Sequence, residues 1–200
     1  SSMGENYGPV VIAQTRVPVS ALAGRRVAVP GSQTTAFLLA QKYLPDFEPI
    51  QLSFDQVFAA VKDGRADAGV VIHEGQITYE GEGFVKILDL GETWFAETGL
   101  PLPLGINVVR RDLGDAWHRW VATALAASIE YARTHPSDAQ AYARAVAPGV
   151  DRDVAERFTA MYVTERTRDM GPEGREALSR LFSQSVTHSE EIPVDVVSLD

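Results

Sequence analysis

The sequence predicts an α/β protein: one α/β lobe at about residues 20–105, followed by a mainly helical section. Three observations carry that prediction. Short apolar runs alternate with helix-patterned segments through the first half. The runs are continuously apolar, as expected of strands covered on both faces in a parallel sheet. Beyond Arg111 strand signals give way to nearly unbroken helical periodicity.

The elements follow in order. Residues 26–30, "RVAVP", read as a strand; Gly31 then turns the chain, and "SQTT" supplies capping hydroxyls for the helix "AFLLAQKYL". Residues 49–54, "PIQLSF", read as a second strand. Ser53 with Gln56 resembles a capping box for the helix "DQVFAAVKDG", which Gly64 stops. "DAGVVIH" (67–73) is a third strand and "GFVKILDL" (83–90) a fourth. "GETWFAET" is a short helix ended by Gly99, with Trp94 and Phe95 read as core, and "PLPLGINVVRR" (101–111) is a further strand. Four helical stretches then cover 115–135, 136–147, 151–169 and 171–189. Pro136 suits a first helical turn and Pro148-Gly149 separates two stretches. In the first stretch Trp117, Trp120, Ala124, Ala127 and Tyr131 form an apolar stripe that is expected to pack on something.

Composition narrows the function classes. The chain has 200 residues and no cysteine, which excludes disulfides, thiolate nucleophiles and Cys-based zinc sites. The four histidines, His73, His118, His135 and His188, show no metal-ligand spacing, so no metal is expected. A formal charge of -9 argues against nucleic acid and anionic membranes as partners, because a phosphate surface needs basic side chains to displace its counterions. No apolar stretch is long enough to span a bilayer and "SSMGENYGP" is no secretory leader, so the chain reads as cytoplasmic.

In an open parallel sheet, ligands bind beyond the carboxyl ends of the strands. Gly31, Ser32, Thr34 and Thr35 fall on that rim. Unpaired N–H groups at a helix start, joined by two threonine hydroxyls, make a seat for a carboxylate; plain N-capping accounts for the same pattern. His73 and Glu74 fall there too. An imidazole suits a general base, and equally suits a hydrogen bond to a backbone carbonyl at a strand end. Glu74, pointing to the opposite face of a strand, is a doubtful partner for it. The connection carrying Gly75, Gly81 and Gly83 around Thr78 and Tyr79 reads as a gate or as an exposed turn. His118, His135 and His188 read as solvent-facing or as compensating helix dipoles. No nucleophile elbow, P-loop or dinucleotide fingerprint is present.

"GRRVAVPGSQTTAFLL", "DAGVVIHEGQITYEGEGF" and "ILDLGETWFAETGLPLPLGINVVRRDLG" together resemble the 1,4-dihydroxy-6-naphthoate synthases of the futalosine route to menaquinone. The resemblance is strongest from about Gly8 to Gly114. It implies a two-lobed fold like the type II periplasmic binding proteins, with the site in the cleft between lobes. Residues 1–19 would then be part of the larger lobe and hinge, 20–105 the smaller α/β lobe, and 106–200 the mainly helical return to the larger lobe. The implied reaction converts cyclic dehypoxanthinyl futalosine to 1,4-dihydroxy-6-naphthoate without a cofactor. His73 would be the base, and Thr34 and Thr35 would hold a carboxylate or hydroxyl of the substrate. Family members carry a substantial segment before "GENYGPVVIA", so the apolar stripe on 117–131 is expected to need an upstream segment, or a homodimer mate, to cover it. Two other readings stand beside this one: a non-catalytic solute-binding protein of the same fold, and the sister enzyme chorismate dehydratase. The base at His73 separates the first from an enzyme, and "IHEG" with "TTAFLL" favours the synthase over the sister.

Overall fold

A computed structural model describes residues 1–146, 151–183 and 195–197. His188 and Pro148-Gly149 lie outside the described residues. The chain forms two compact units, a sheet unit (Gly4–Leu104) and a helical unit (Ser1–Met3 with Gly105–Asp200). It passes from one unit to the other twice, at Met3–Gly4 and again at Leu104–Gly105.

The strands are β1 (Ser2–Gly4), β2 (Val10–Ala13), β3 (Arg26–Val29), β4 (Glu48–Gln51), β5 (Ala68–Val71), β6 (Val85–Asp89) and β7 (Leu102–Gly105). β2 to β6 form one sheet in the order β4-β3-β5-β2-β6. β3 runs parallel to β4 and to β5, as expected of strands joined by helical crossovers. β2 departs from the predicted parallel sheet: it lies antiparallel between β5 and β6. Sequence reading groups residues 1–19 with the larger lobe and hinge, whereas Val10–Ala13 is an internal strand of the sheet unit, buried at all four positions. The physical reason is its composition. "VVIA" is a β-branched apolar run that only an internal strand can cover on both faces.

Helices α1 (Thr35–Tyr43), α2 (Val57–Lys62), α3 (Gly75–Thr78) and α4 (Leu90–Thr98) complete the sheet unit. Its core joins Val10, Ile12, Ala28 and Val71 of the sheet to Val57, Ala60 and Val61 of α2, with Ala66 and Phe84. Gly64 and Gly99 end α2 and α4 at positive φ, 71° and 68°, as a terminating glycine should. Trp94 is fully buried and its indole N–H donates to the Pro101 carbonyl (3.3 Å), but Phe95, also read as core, is 40% exposed. The predicted capping box at Ser53 does not form. Its side chain makes no cap hydrogen bond, and the turn Phe54–Gln56 closes through the backbone, Gln56 N–H to Ser53 carbonyl. The strand predicted over 101–111 ends at Gly105.

The helical unit comprises α5 (Asp115–Thr134), α6 (Pro136–Val146), α7 (Arg152–Tyr162), α8 (Glu165–Arg168) and α9 (Gly171–Ser183). The stretch predicted as one helix over 151–169 breaks where Thr164 caps α8. Only α9 contributes buried residues among these helices: Gly174, Ala177, Leu178 and Leu181. Gly174 is packed so closely on Met170 that a Cβ there would lie 2.6 Å from the Met170 Cβ. On α5 the predicted stripe is the outward one, with Trp117 55%, Trp120 63% and Tyr131 55% exposed. The partly sheltered positions are His118, Val121, Ala122, Ala126, Ile129 and Ala132, one helical step away. The His118 Nε2–H donates to the Arg110 carbonyl (3.0 Å). His135 stacks on Tyr131 at the end of α5.

Candidate functional site

The sheet register gathers five segments at one edge. Val29 of β3 stands beside Gln51 of β4, and Ala28 beside Gly69 of β5, so the chain leaves all three parallel strands on the same side. Because β2 is antiparallel, its beginning lies there as well, with Val10 opposite Val71 on one side and Asp89 on the other. The edge therefore carries the loop Pro30–Thr34, the turn at Phe54, the turn at His73, the segment before β2 and the start of α4.

The first of these is the threonine loop. Gly31 sits at φ 116°, a conformation that favours glycine, and turns the chain off β3. Thr34 is the N-cap of α1. Its hydroxyl accepts from the Phe37 N–H (3.1 Å) and donates to the Gly31 carbonyl (2.9 Å), so both of its capacities serve the loop itself. Capping thus accounts for Thr34. Thr35 is the first helical residue and is half-buried; Ser32 is exposed on the loop. The first intrahelical bond is that of the Leu38 N–H to the Thr34 carbonyl (3.1 Å), so the N–H groups of Thr35 and Ala36 precede the helical ladder. No acidic residue lies in the first turn of α1, and nothing in that turn offsets the positive end of the helix dipole.

The second is His73. The strand predicted to run to residue 73 stops at Val71, and His73 forms a turn with φ 54°. Among the described residues only Asn6 is another non-glycine at positive φ, a region uncommon for residues with a Cβ although asparagine and histidine are enriched there. His73 is exposed, and its ring meets Phe54 edge-on, with centroids 4.9 Å apart and planes at 74°. Glu74 lies at the start of α3, where its carbonyl accepts from the Ile77 and Thr78 N–H groups; its backbone role is to open that helix. The Gly-rich connection is thus a helical turn rather than an open loop. A Cβ at Gly75 would lie 3.1 Å from the Val71 Cβ, so this turn packs tightly on the end of β5.

The third segment, which sequence reading passed over, is the start of α4. Asp89 is buried and caps α4, accepting from the N–H groups of Gly91 (2.8 Å) and Glu92 (3.0 Å). Burial lifts its carboxyl above the ordinary value and those two N–H donors oppose the rise. Tyr7, half-buried just before β2, is pushed up to about 12 by burial and by Glu5. Its carbonyl lies so close to Gly91 that any side chain at 91 would collide with it. The aspartate that opens "DLGET" was a readable N-cap signal for α4; nothing local marked Phe54 as the neighbour of His73.

Among the described residues no group of three or more His, Asp or Glu side chains is placed to hold a metal ion, and no helix is long and apolar enough to cross a membrane. The edge thus carries the N–H groups that open α1, after β3, and the His73 imidazole, after β5.

Residues 1–186 match the protein family described as menaquinone biosynthesis. The chain is 41% identical over 184 residues to the 1,4-dihydroxy-6-naphthoate synthase of Thermus thermophilus, covering 92% of this chain and 67% of that protein. It is 37% identical over 190 residues to the synthase of Streptomyces coelicolor, with the same coverage, and so spans about two thirds of the length of both. Its fold matches a solved protein of Archaeoglobus fulgidus at a TM-score of 0.86 and 43% identity, covering 92% of this chain and 68% of that one. It also matches the alkanesulfonate-binding protein of Xanthomonas axonopodis pv. citri at a TM-score of 0.56 and 15% identity, covering 92% and 67%. At that identity the second likeness shows the fold alone, which is that of the periplasmic binding proteins. With its family model matched over nearly its whole length and two synthases of one activity aligned to it, the chain belongs to the menaquinone-biosynthesis enzyme family.

Proposed function

We propose that this chain forms 1,4-dihydroxy-6-naphthoate, the product its synthase relatives are named for, from cyclic dehypoxanthinyl futalosine, with His73 as the general base. The observation that carries the assignment of the base is the backbone of His73. A left-handed conformation costs a residue with a Cβ about 1–2 kcal/mol, and such strain gathers at functional sites, where the surroundings hold it in place. A histidine that only satisfied a carbonyl at a strand end would need no such conformation, and a solute-binding protein would need no base there. The ordinary range of an imidazole lies nearest neutrality, so it can take a proton from the substrate and release the sugar-derived portion by elimination.

In this reading the substrate's carboxylate is held by the Thr35 hydroxyl and the first N–H groups of α1. Gly31 and Thr34 shape the loop, and Ser32 adds a hydroxyl beside it. The reaction calls on no metal or organic cofactor, and the enzyme works in the cytoplasm on a small molecule.

The test is to incubate the intact protein with cyclic dehypoxanthinyl futalosine and follow the naphthoate by absorbance and mass, for the wild type and for His73→Asn. Asparagine adopts the left-handed region readily, so the variant should keep its fold and its Tm. Turnover should fall at least about 100-fold, the usual contribution of a general base. A fully active His73→Asn protein would sink the base assignment. No product from the wild type would sink the activity, and dehydration of chorismate instead would assign the sister reaction.

A further inference from the structure

We infer that Phe54 is a positioning residue that holds the His73 imidazole in its working orientation; the inference rests on the reading of His73 as the base. β4 and β5 flank β3 on opposite sides, yet the turns that follow them meet across the end of β3, where the Phe54 and His73 rings lie 4.9 Å apart at 74°. Phe54 is 49% exposed, so burial of its own surface does not explain a phenylalanine here. Two nearby aromatic side chains are placed quite differently: Phe58 and Phe84 stack at 5.3 Å, with Phe84 in the core and Phe58 packed against it. What Phe54 does at its position is restrict a neighbouring ring.

That restriction has a purpose for an exposed base. The backbone of His73 is held at φ 54°, and the Phe54 ring bears edge-on on its imidazole. An edge-on aromatic contact has a preferred geometry, and a base that is out of line with the proton it removes loses rate without losing substrate affinity. Placement also fits local structure. Phe54 opens a short turn closed by the backbone bond between Gln56 and Ser53, and the Leu52 N–H donates to the Val29 carbonyl (3.0 Å), tying the segment before it to β3. The phenyl ring is therefore carried on anchored backbone.

The experiment compares Phe54→Leu and Phe54→Tyr with the wild type in steady-state conversion of cyclic dehypoxanthinyl futalosine. Phe54→Leu keeps apolar bulk and removes the ring, and should lower kcat about 3- to 10-fold, the rate equivalent of one aromatic pair, with KM within about two-fold. Phe54→Tyr should restore kcat while Tm stays level across the set, which a merely structural role would not produce. An unchanged kcat in Phe54→Leu overturns the inference, as does a raised KM with kcat intact, or a Phe54→Tyr protein as slow as Phe54→Leu. Adding Phe54→Leu to His73→Asn separates this failure from that of the base: Phe54 should then cost nothing further. If His73→Asn alone is fully active, the base reading falls and this one with it.

Discussion

The two threonines that open α1 should separate cleanly into a stability role and a binding role. Thr34→Ala removes the acceptor for the Phe37 N–H and the donor to the Gly31 carbonyl. Loss of an N-cap costs about 1 kcal/mol, and the second bond brings the total to about 1–2 kcal/mol. For a chain of this size each kcal/mol moves Tm by about 2–4 °C, so Tm should fall by about 2–8 °C, and Thr34→Ser, which keeps both bonds, should recover nearly all of it. Thr35→Val behaves in the opposite way. Valine and threonine have similar helix propensities, so Tm should stay within about 2 °C of the wild type. A lost hydrogen bond to a charged group is worth about 1.5–3 kcal/mol, which raises KM about 10- to 100-fold while kcat changes less. The assays are thermal melts by far-UV circular dichroism and steady-state kinetics below the transition of the weakest variant. A Thr34→Ala protein with unchanged Tm and a KM raised as far as that of Thr35→Val would refute this division.

Two further expectations concern the start of α4. Asp89 has a raised folded pKa caused first by burial; the stability linked to it is fully present below the ordinary carboxylate value and is lost as pH rises through the raised one. Asp89→Asn, which keeps a cap acceptor without the charge, should therefore gain on the wild type from acid to neutral pH. Asp89→Ala titrates no more than Asp89→Asn does and, for want of a cap, should lie about 1 kcal/mol below it at every pH. Urea titrations across that range check both, and an Asn variant that loses ground as pH rises would be the wrong sign. Gly91→Ala, whose methyl would overlap the Tyr7 carbonyl, should cost about 3 kcal/mol or more, because backbone cannot yield as a side chain can; a melt within about 2 °C of wild type contradicts that close approach.

The strand–helix order of residues 26–98 was legible because each element carries its own punctuation: Gly31 before α1, Gly64 after α2, Gly99 after α4. Strand direction was not, since Val10–Ala13 looks the same whether it runs parallel or antiparallel, and only long-range pairing decides. On α5 the aromatic stripe stays exposed at Trp117, Trp120 and Tyr131, the face for which sequence reading expects an upstream segment or a homodimer mate, while the partly sheltered positions are His118, Val121, Ile129 and alanines. The candidate site was legible as residue types at strand ends. What no sequence pattern announced was that β5 stops two residues before His73 and hands it a left-handed backbone, or that Phe54 arrives from two strands away.

The antiparallel course of β2 also bears on where an anion can bind. By placing Val10 opposite both Val71 and Asp89, it brings the start of α4 to the same sheet edge as the start of α1. Each helix start carries partial positive charge, so on topology alone the two would compete for a carboxylate. Composition separates them. α4 is answered from within the chain, with the Asp89 carboxylate on its first N–H groups and Glu92 in its first turn. α1 is capped by a neutral hydroxyl and has no acidic residue in its first turn. A substrate anion approaching α4 would meet two carboxylates, and the same anion approaching α1 meets N–H groups and the Thr35 hydroxyl. If the start of α1 seats the substrate as proposed, threonine rather than aspartate at position 34 has a reason: aspartate would cap the helix at least as well, but its charge would occupy the seat the substrate needs.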